Sequence, residues 1–189
     1  MPGETYLAAG VDHKAARNAK ESIKALASAT LGPQVLGGVG FFGGMYELQG
    51  YNQPVLVSST DSPGTKLKIA TLMNRYDTIG IDVVNHCIND VFTSGAKPIF
   101  FLDYIGVGRL IPEIAEAIVK GVAQACHSVG CSLIGGETAE LPGIYPEGGF
   151  DLAGFAVGVV EKDNIINGST ISPSDVLLAV PSNGLHTNG

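Results

Sequence analysis

Residues 77–136 read DTIGIDVVNHCINDVFTSGAKPIFFLDYIGVGRLIPEIAEAIVKGVAQACHSVGCSLIGG, and the changes of period within them decide the fold. From Asp77 to Ser94, Val83, Val84, Cys87, Ile88, Val91 and Phe92 recur at helical spacing on one face. Asp82, His86, Asn89 and Thr93 form the opposite stripe, and Asp90 sits at the border. Gly95 closes that helix, and the apolar run Pro98–Leu102 reads as a strand. Pro112 opens a second helix and Gly130 ends it, the positions these residues favour. Its apolar face is built on Ile118, Val119, Val122 and Cys126. The run Cys131–Ile134 then returns to strand character. Helices alternating with short apolar strands predict a mixed sheet protein, α+β with α/β-type alternation: a small sheet with flanking helices.

The flanks extend this pattern. Asp12 can cap a first helix that runs to about Ser28, where Gly32-Pro33 stops it. Gly37–Gly44 holds five glycines in eight residues and reads as a loop. Pro54–Ser59 reads as a buried strand, followed by the loop Thr60–Lys66. Leu152–Val160 and Asp175–Val180 complete the set of apolar runs. The polar, turn-rich stretch 164–175 is the best boundary, which divides the chain into a domain at 1–166 and the truncated start of a second at 167–189.

Composition narrows the class of protein. Hydrophobic residues make up 45% and charged residues 15%, which argues against an intrinsically disordered chain. A net charge of −7 disfavours nucleic acid as a partner, because phosphate backbones need basic patches. No apolar run reaches the ~20 residues of a membrane span, and the N-terminus lacks the pattern of a signal peptide. Cys87, Cys126 and Cys131 are three in number, with no Cys-x-x-Cys pair, and lie in apolar stretches. They read as free buried thiols of a reducing compartment, the cytoplasm or an organelle entered by way of a removed transit peptide.

Several motifs bear on chemistry. Gly38-x-Gly40-x-x-Gly43 matches a dinucleotide fingerprint, but no strand precedes it and no long helix follows, so a Rossmann site is disfavoured. The loop is either a surface turn needing positive φ or a flexible strap whose amides approach phosphate. Gly64-Thr65-Lys66 fails the Walker spacing. Asp61, Asp103 and Glu137 each follow an apolar run, and Asp90 lies near a helix end. Carboxylates gathered at strand ends suit Mg²⁺ shared with phosphates, with Lys66 as a point charge on phosphate. Each can equally be an ordinary turn or cap residue. His13 and His127 read as solvated, and His86 as a surface or interface histidine. His186, in a loop of Ser, Asn and Thr, is the most site-like of the four. No Gly-x-Ser-x-Gly elbow or His-Glu-x-x-His motif favours a hydrolase.

Ordered blocks carry a specific resemblance. They are Ala9–Asp12, Gly37–Gly44, Thr60-Asp61 with Gly64–Lys68, and Asp77–Asp82. Cys87–Asp90, Phe100–Tyr104, Gly135–Gly143, Asp151–Phe155 and Gly184–Gly189 follow. Together the chain resembles the aminoimidazole ribonucleotide synthetase (phosphoribosylformylglycinamidine cyclo-ligase) family, in its N-terminal half. The resemblance implies ATP- and Mg²⁺-dependent ring closure of formylglycinamidine ribonucleotide through an iminophosphate, in purine biosynthesis. It implies Asp61, Asp90 and Glu137 as Mg–ATP carboxylates, with Asn89 supporting Asp90 and Lys66 on phosphate. Gly38, Gly40 and Gly43 then belong to a lid, Lys24 approaches ATP, and Gly64 and Thr65 belong to the phosphate loop. His186 and Asn188 become substrate-side or catalytic residues, and Asp103 serves the metal or only structure.

The implied fold pairs two copies into a shared β-barrel, a homodimer, with a second α/β domain after it. Two departures stand out: Ser62-Pro63 replaces the usual Gly-Val of the phosphate loop, and Asn85-His86 replaces the usual Ala-Met. Pro63 removes a backbone donor. Two rival readings share the resemblance: a dimerising nucleotide-binding module without activity of its own, and a related ATP-using enzyme such as a selenophosphate synthetase.

Overall fold

The computed structural model describes residues 13–182 and 184–186, of which residues 13–16, 18 and 19 in backbone only. The first helix, α1 (His13–Ser28), leads to a small hairpin of β1 (Val35–Leu36) and β2 (Met45–Tyr46). Next come β3 (Pro54–Asp61), α2 (Lys66–Met73), α3 (Asp77–Thr93) and β4 (Lys97–Val107). Helix α4 (Pro112–Ser128), β5 (Ser132–Glu140) and β6 (Phe150–Glu161) complete the regular elements. The large sheet has the order β3-β6-β4-β5. Strands β4 and β5 run parallel across the α4 crossover, while β6 is antiparallel to both of its neighbours.

The periodic faces read from the sequence build the core, except for Phe92 at the end of α3, which is 68% exposed. Val83, Val84, Cys87 and Val91 of α3 and Ile118, Val119, Val122 and Cys126 of α4 are fully buried with Phe101, Ile105 and Leu152 of the sheet. The two helices cross at close range through glycines. A Cβ on Gly80 would stand 2.1 Å from the Ile118 carbonyl oxygen, and one on Gly121 2.2 Å from that of Asp77. Helix α1 packs on α4 and β5. The other sheet face is only partly covered, where Tyr46 and Tyr51 pack over Ile99, Val157 and Val159. Elsewhere on it Leu56, Phe155 and Tyr104 remain 58%, 40% and 36% exposed.

The expected mixed architecture and main helices are present, but several boundaries differ. The Asp12 cap lies outside the described residues. Helix α2 starts at the last residue of the expected Thr60–Lys66 loop; Ala70 is buried but the larger Ile69 and Leu72 face water, so no apolar stripe marks it in the sequence. Asp103 and Glu137 are not strand-end residues, because β4 runs on to Val107 and β5 to Glu140. Pairing to neighbours carries these strands through polar positions where apolar character stops. Asp175–Val180 is not a strand: Val176, Leu177, Leu178 and Val180 are 81% to 97% exposed. A lone extended segment with no adjacent edge has no ladder partners for its backbone.

Candidate functional site

Register places the acidic residues. Asp61, Gly154, Asp103 and Gly136 form one row across the sheet. Gly136 makes room for its neighbour: a Cβ there would stand 2.0 Å from Asp103 Oδ1. A register shift between Phe101 and Leu102 lets Ile134 bulge from β5 beside this row. Burial pushes the Asp103 carboxyl up to about 7, against a smaller opposing effect of a backbone hydrogen bond.

At the β5 edge the row opens into a cleft of about 690 Å³, within the usual range for small-molecule sites. Its floor comes from Leu102, Asp103 and residues 133–138, its wall from Lys20, Ile23, Lys24 and Ala27 of α1. The Gly-rich loop, held between β1 and β2, forms the roof with Val39, Gly40, Phe41, Phe42 and Gly44. Gly40 has φ +125°, and a Cβ on it would lie 3.5 Å from Lys24 Nζ. The lysine head therefore lies close beneath the loop. Of the three expected loop glycines only Gly40 lines the cleft; Gly38 and Gly43 have open space around them. Gly44, the last residue of the Gly-rich block, lines it as well, and so does Lys20, which carries no motif that would single it out. Two lysines, two carboxyl groups and apolar lining residues together suit a ligand that carries both phosphate and a ring.

A second polar cluster sits at the opposite sheet edge, where β3 runs into α2. Ser62 N–H donates to Asp61 Oδ1 (2.7 Å), and Gly64 N–H donates to Ser62 Oγ (3.1 Å). The turn thus engages two of its own backbone donors, while Pro63 offers none. Gly64 takes φ +61°, and Thr65 precedes α2 without a side-chain cap. Lys66 Nζ reaches Asp82 Oδ2 at 3.3 Å and His86 Nε2 at 3.0 Å. His86 Nδ1 lies 3.7 Å from Asp61 Oδ2. The polar stripe of α3 is therefore partly buried against Lys66 at Asp82 and His86. Its signal in sequence is the one-turn spacing of Asp82 and His86, which has meaning only once α2 is placed beside α3. Asp90 accepts from Ser59 Oγ at 2.8 Å, and Asn89 is exposed beside it. Burial pushes the nearby Cys87 thiol up to about 12, which keeps it unreactive. Cys126 is raised too, by its hydrogen bond to Cys131 and by burial.

The expected carboxylates split between these clusters. Asp61 and Asp90 belong to the β3 end, Glu137 to the β5 cleft, and β3 and β5 are opposite edges. Three strand spacings, roughly 14 Å, separate those edges. Among the described residues no three His, Cys, Asp or Glu side chains form a group able to hold a metal ion. One chain therefore does not assemble Asp61, Asp90 and Glu137 around a common ion. His186 is exposed after the last sheet strand, and Asn188 lies outside the described residues. Among the described residues no helix is long and apolar enough to cross a membrane.

Residues 44–160 match the family described as AIR synthase related protein, N-terminal domain. A phosphoribosylformylglycinamidine cyclo-ligase of Geobacillus kaustophilus is 55% identical over 98% of this chain and 54% of its own length. That of Thermosynechococcus vestitus is 54% identical over 97% of this chain and 54% of its own. The chain thus spans about half the length of these curated relatives. Among solved structures, a thiamine-monophosphate kinase from Stenotrophomonas maltophilia superposes with a TM-score of 0.59 at 20% identity, over 77% of this chain and 42% of that one. The hydrogenase maturation protein HypE in complex with ATP superposes at 0.55 and 20% identity, over 91% and 45%. These two share the fold.

Proposed function

The chain belongs to the AIR synthase related family through that N-terminal domain, and from this premise we propose that it is the nucleotide-binding, dimerising half of a phosphoribosylformylglycinamidine cyclo-ligase. The reaction is ring closure of formylglycinamidine ribonucleotide to aminoimidazole ribonucleotide, by way of an iminophosphate. The observation that carries the reading is the lysine-walled cleft under the Gly-rich loop, in a chain at least half identical to curated cyclo-ligases. Bound ATP with Mg²⁺ would supply the phosphoryl group that turns the amide oxygen of the substrate into a leaving group.

The residues of this chain fit that nucleotide in stated ways. Lys20 and Lys24 supply positive charge in the cleft, where side chains rather than a Walker-type loop must neutralise phosphate. The Gly37–Gly44 strap bends without strain at its positive-φ glycines and carries the exposed Phe41 and Phe42 as a water-excluding cover. Asp103, protonated below about pH 7, offers a hydrogen-bond donor from the cleft floor. Lys66 serves phosphate from the second cluster, with Asp61, Gly64, Thr65, Asn89 and Asp90 around it. His186 and Asn188 act on the substrate side.

The exposed face with Leu56, Phe155 and Tyr104 supports a homodimer in which two sheets close a barrel. In that arrangement the free edges β3 and β5 of one copy meet those of the other, and Glu137 of a second copy completes the Mg²⁺ set of Asp61 and Asp90. Residues 1–166 form the dimerising domain, and 167–189 begin a second one; among the described residues Ile166 N–H to Ser94 O is the last backbone tie to the core. The setting is cytoplasmic purine biosynthesis, with a small-molecule substrate and neither nucleic acid nor membrane as partner. The test is ADP release that depends on formylglycinamidine ribonucleotide, in the protein that carries this chain. Turnover that collapses in Asp90→Ala is expected; full turnover in that variant would remove Asp90 from the site.

A further inference from the structure

Lys66 and His86 make a contact that the proposed reaction does not by itself require. Lys66 Nζ sits 3.0 Å from His86 Nε2, and an ammonium group can only donate. Nε2 must therefore accept, which leaves the ring proton on Nδ1. That atom is buried without a hydrogen-bond partner among the described residues, and it faces Asp61 Oδ2 at 3.7 Å. The separation is too long for a hydrogen bond, yet the carboxylate favours an N–H over a bare lone pair at that position. Asp82, one turn earlier on α3, fixes the ammonium from a second side at 3.3 Å.

We propose that His86 is a positioning residue: its Nε2 accepts from the Lys66 ammonium and holds it in place at the start of α2. The proposal rests on the reading of Lys66 as a phosphate-binding lysine. A lysine side chain gives up considerable rotamer freedom when it is fixed. Fixing it before the ligand arrives moves that cost out of the binding step. His86 touches neither nucleotide nor substrate in this account; it acts through Lys66.

Two readouts test it, one of them free of any ligand. In the ligand-free chain at about pH 8, above the ordinary histidine range, ¹⁵N NMR of the imidazoles reads the tautomer, and loss of signals in His86→Gln assigns the ring. The Nδ1–H form is expected, and Lys66→Met should let the Nε2–H form appear. A wild-type ring in the Nε2–H form, or doubly protonated, overturns the proposal.

The second readout is the affinity for Mg²⁺–ATP in folded variants, checked by circular dichroism. Gln can place an acceptor where Nε2 stands, Asn stops short of it, and Leu has none. His86→Gln should stay within about twofold of wild type, while His86→Asn and His86→Leu weaken binding about tenfold, which is 1.4 kcal/mol. Equal affinity in all three, or equal loss in all three, overturns the acceptor role. If wild type binds no Mg²⁺–ATP, the functional reading fails, and the tautomer still decides whether Lys66 and His86 are paired as described.

Discussion

Asp103→Asn should change how stability depends on pH, and the structure gives both sign and size. Burial in the cleft floor raises the Asp103 carboxyl from 3.8 to about 7. The folded protein therefore keeps a proton that the unfolded chain has released between about pH 4 and pH 7. Where the folded state binds more protons, stability falls as pH rises. The effect is complete above about pH 7 and absent below about pH 4. At 1.36 kcal/mol per unit it amounts to at most roughly 4 kcal/mol, and less where cleft water reaches the carboxyl. Asparagine has the same shape and cannot ionise. Urea midpoints of wild type and variant across about pH 4 to 8, with the difference taken at each pH to cancel other groups, isolate the term. The variant should match wild type near pH 4 and become progressively more stable toward pH 8. A constant difference across that range, or one that shrinks with pH, would refute the buried, proton-holding Asp103.

Two further outcomes follow from packing. Gly80→Ala inserts a methyl 2.1 Å from the Ile118 carbonyl oxygen, a backbone atom that cannot rotate away. Pushing α3 and α4 apart should cost about 2–3 kcal/mol in chemical unfolding, whereas no loss would mean the helices do not cross there. Phe155→Asp places a charge on the exposed sheet face, and sedimentation should show a dimer for wild type and a monomer for the variant. An unchanged dimer would place the contact between copies elsewhere.

Much of this architecture was legible in the sequence, for particular reasons. Helices α3 and α4 carry continuous apolar stripes that point at one core, so period alone identifies them. Helix α2 escaped because its inward residues are only Leu67 and Ala70 while the larger Ile69 and Leu72 are exposed, so hydrophobicity does not mark its inner face. Asp103 and Glu137 looked like strand-end residues because hydrophobicity stops there, while pairing does not. The site was legible as a set of residue types but not as an arrangement. Strand order is a long-range property, and it puts Asp61 and Glu137 on opposite edges although each follows a similar apolar run. The pairing of His86 was not legible for the complementary reason: its partner Lys66 lies 20 residues away on a helix that the sequence did not announce.

The most direct test of the central claim is a calorimetric titration of the chain with Mg²⁺–ATP, run beside Lys24→Ala. Saturable binding by the wild type is expected, with affinity at least about tenfold weaker once the lysine under the Gly-rich loop is gone, the usual weight of a charged hydrogen bond. A folded wild-type chain that shows no saturable binding up to about 1 mM, or a Lys24→Ala variant that binds as wild type does, would contradict that claim.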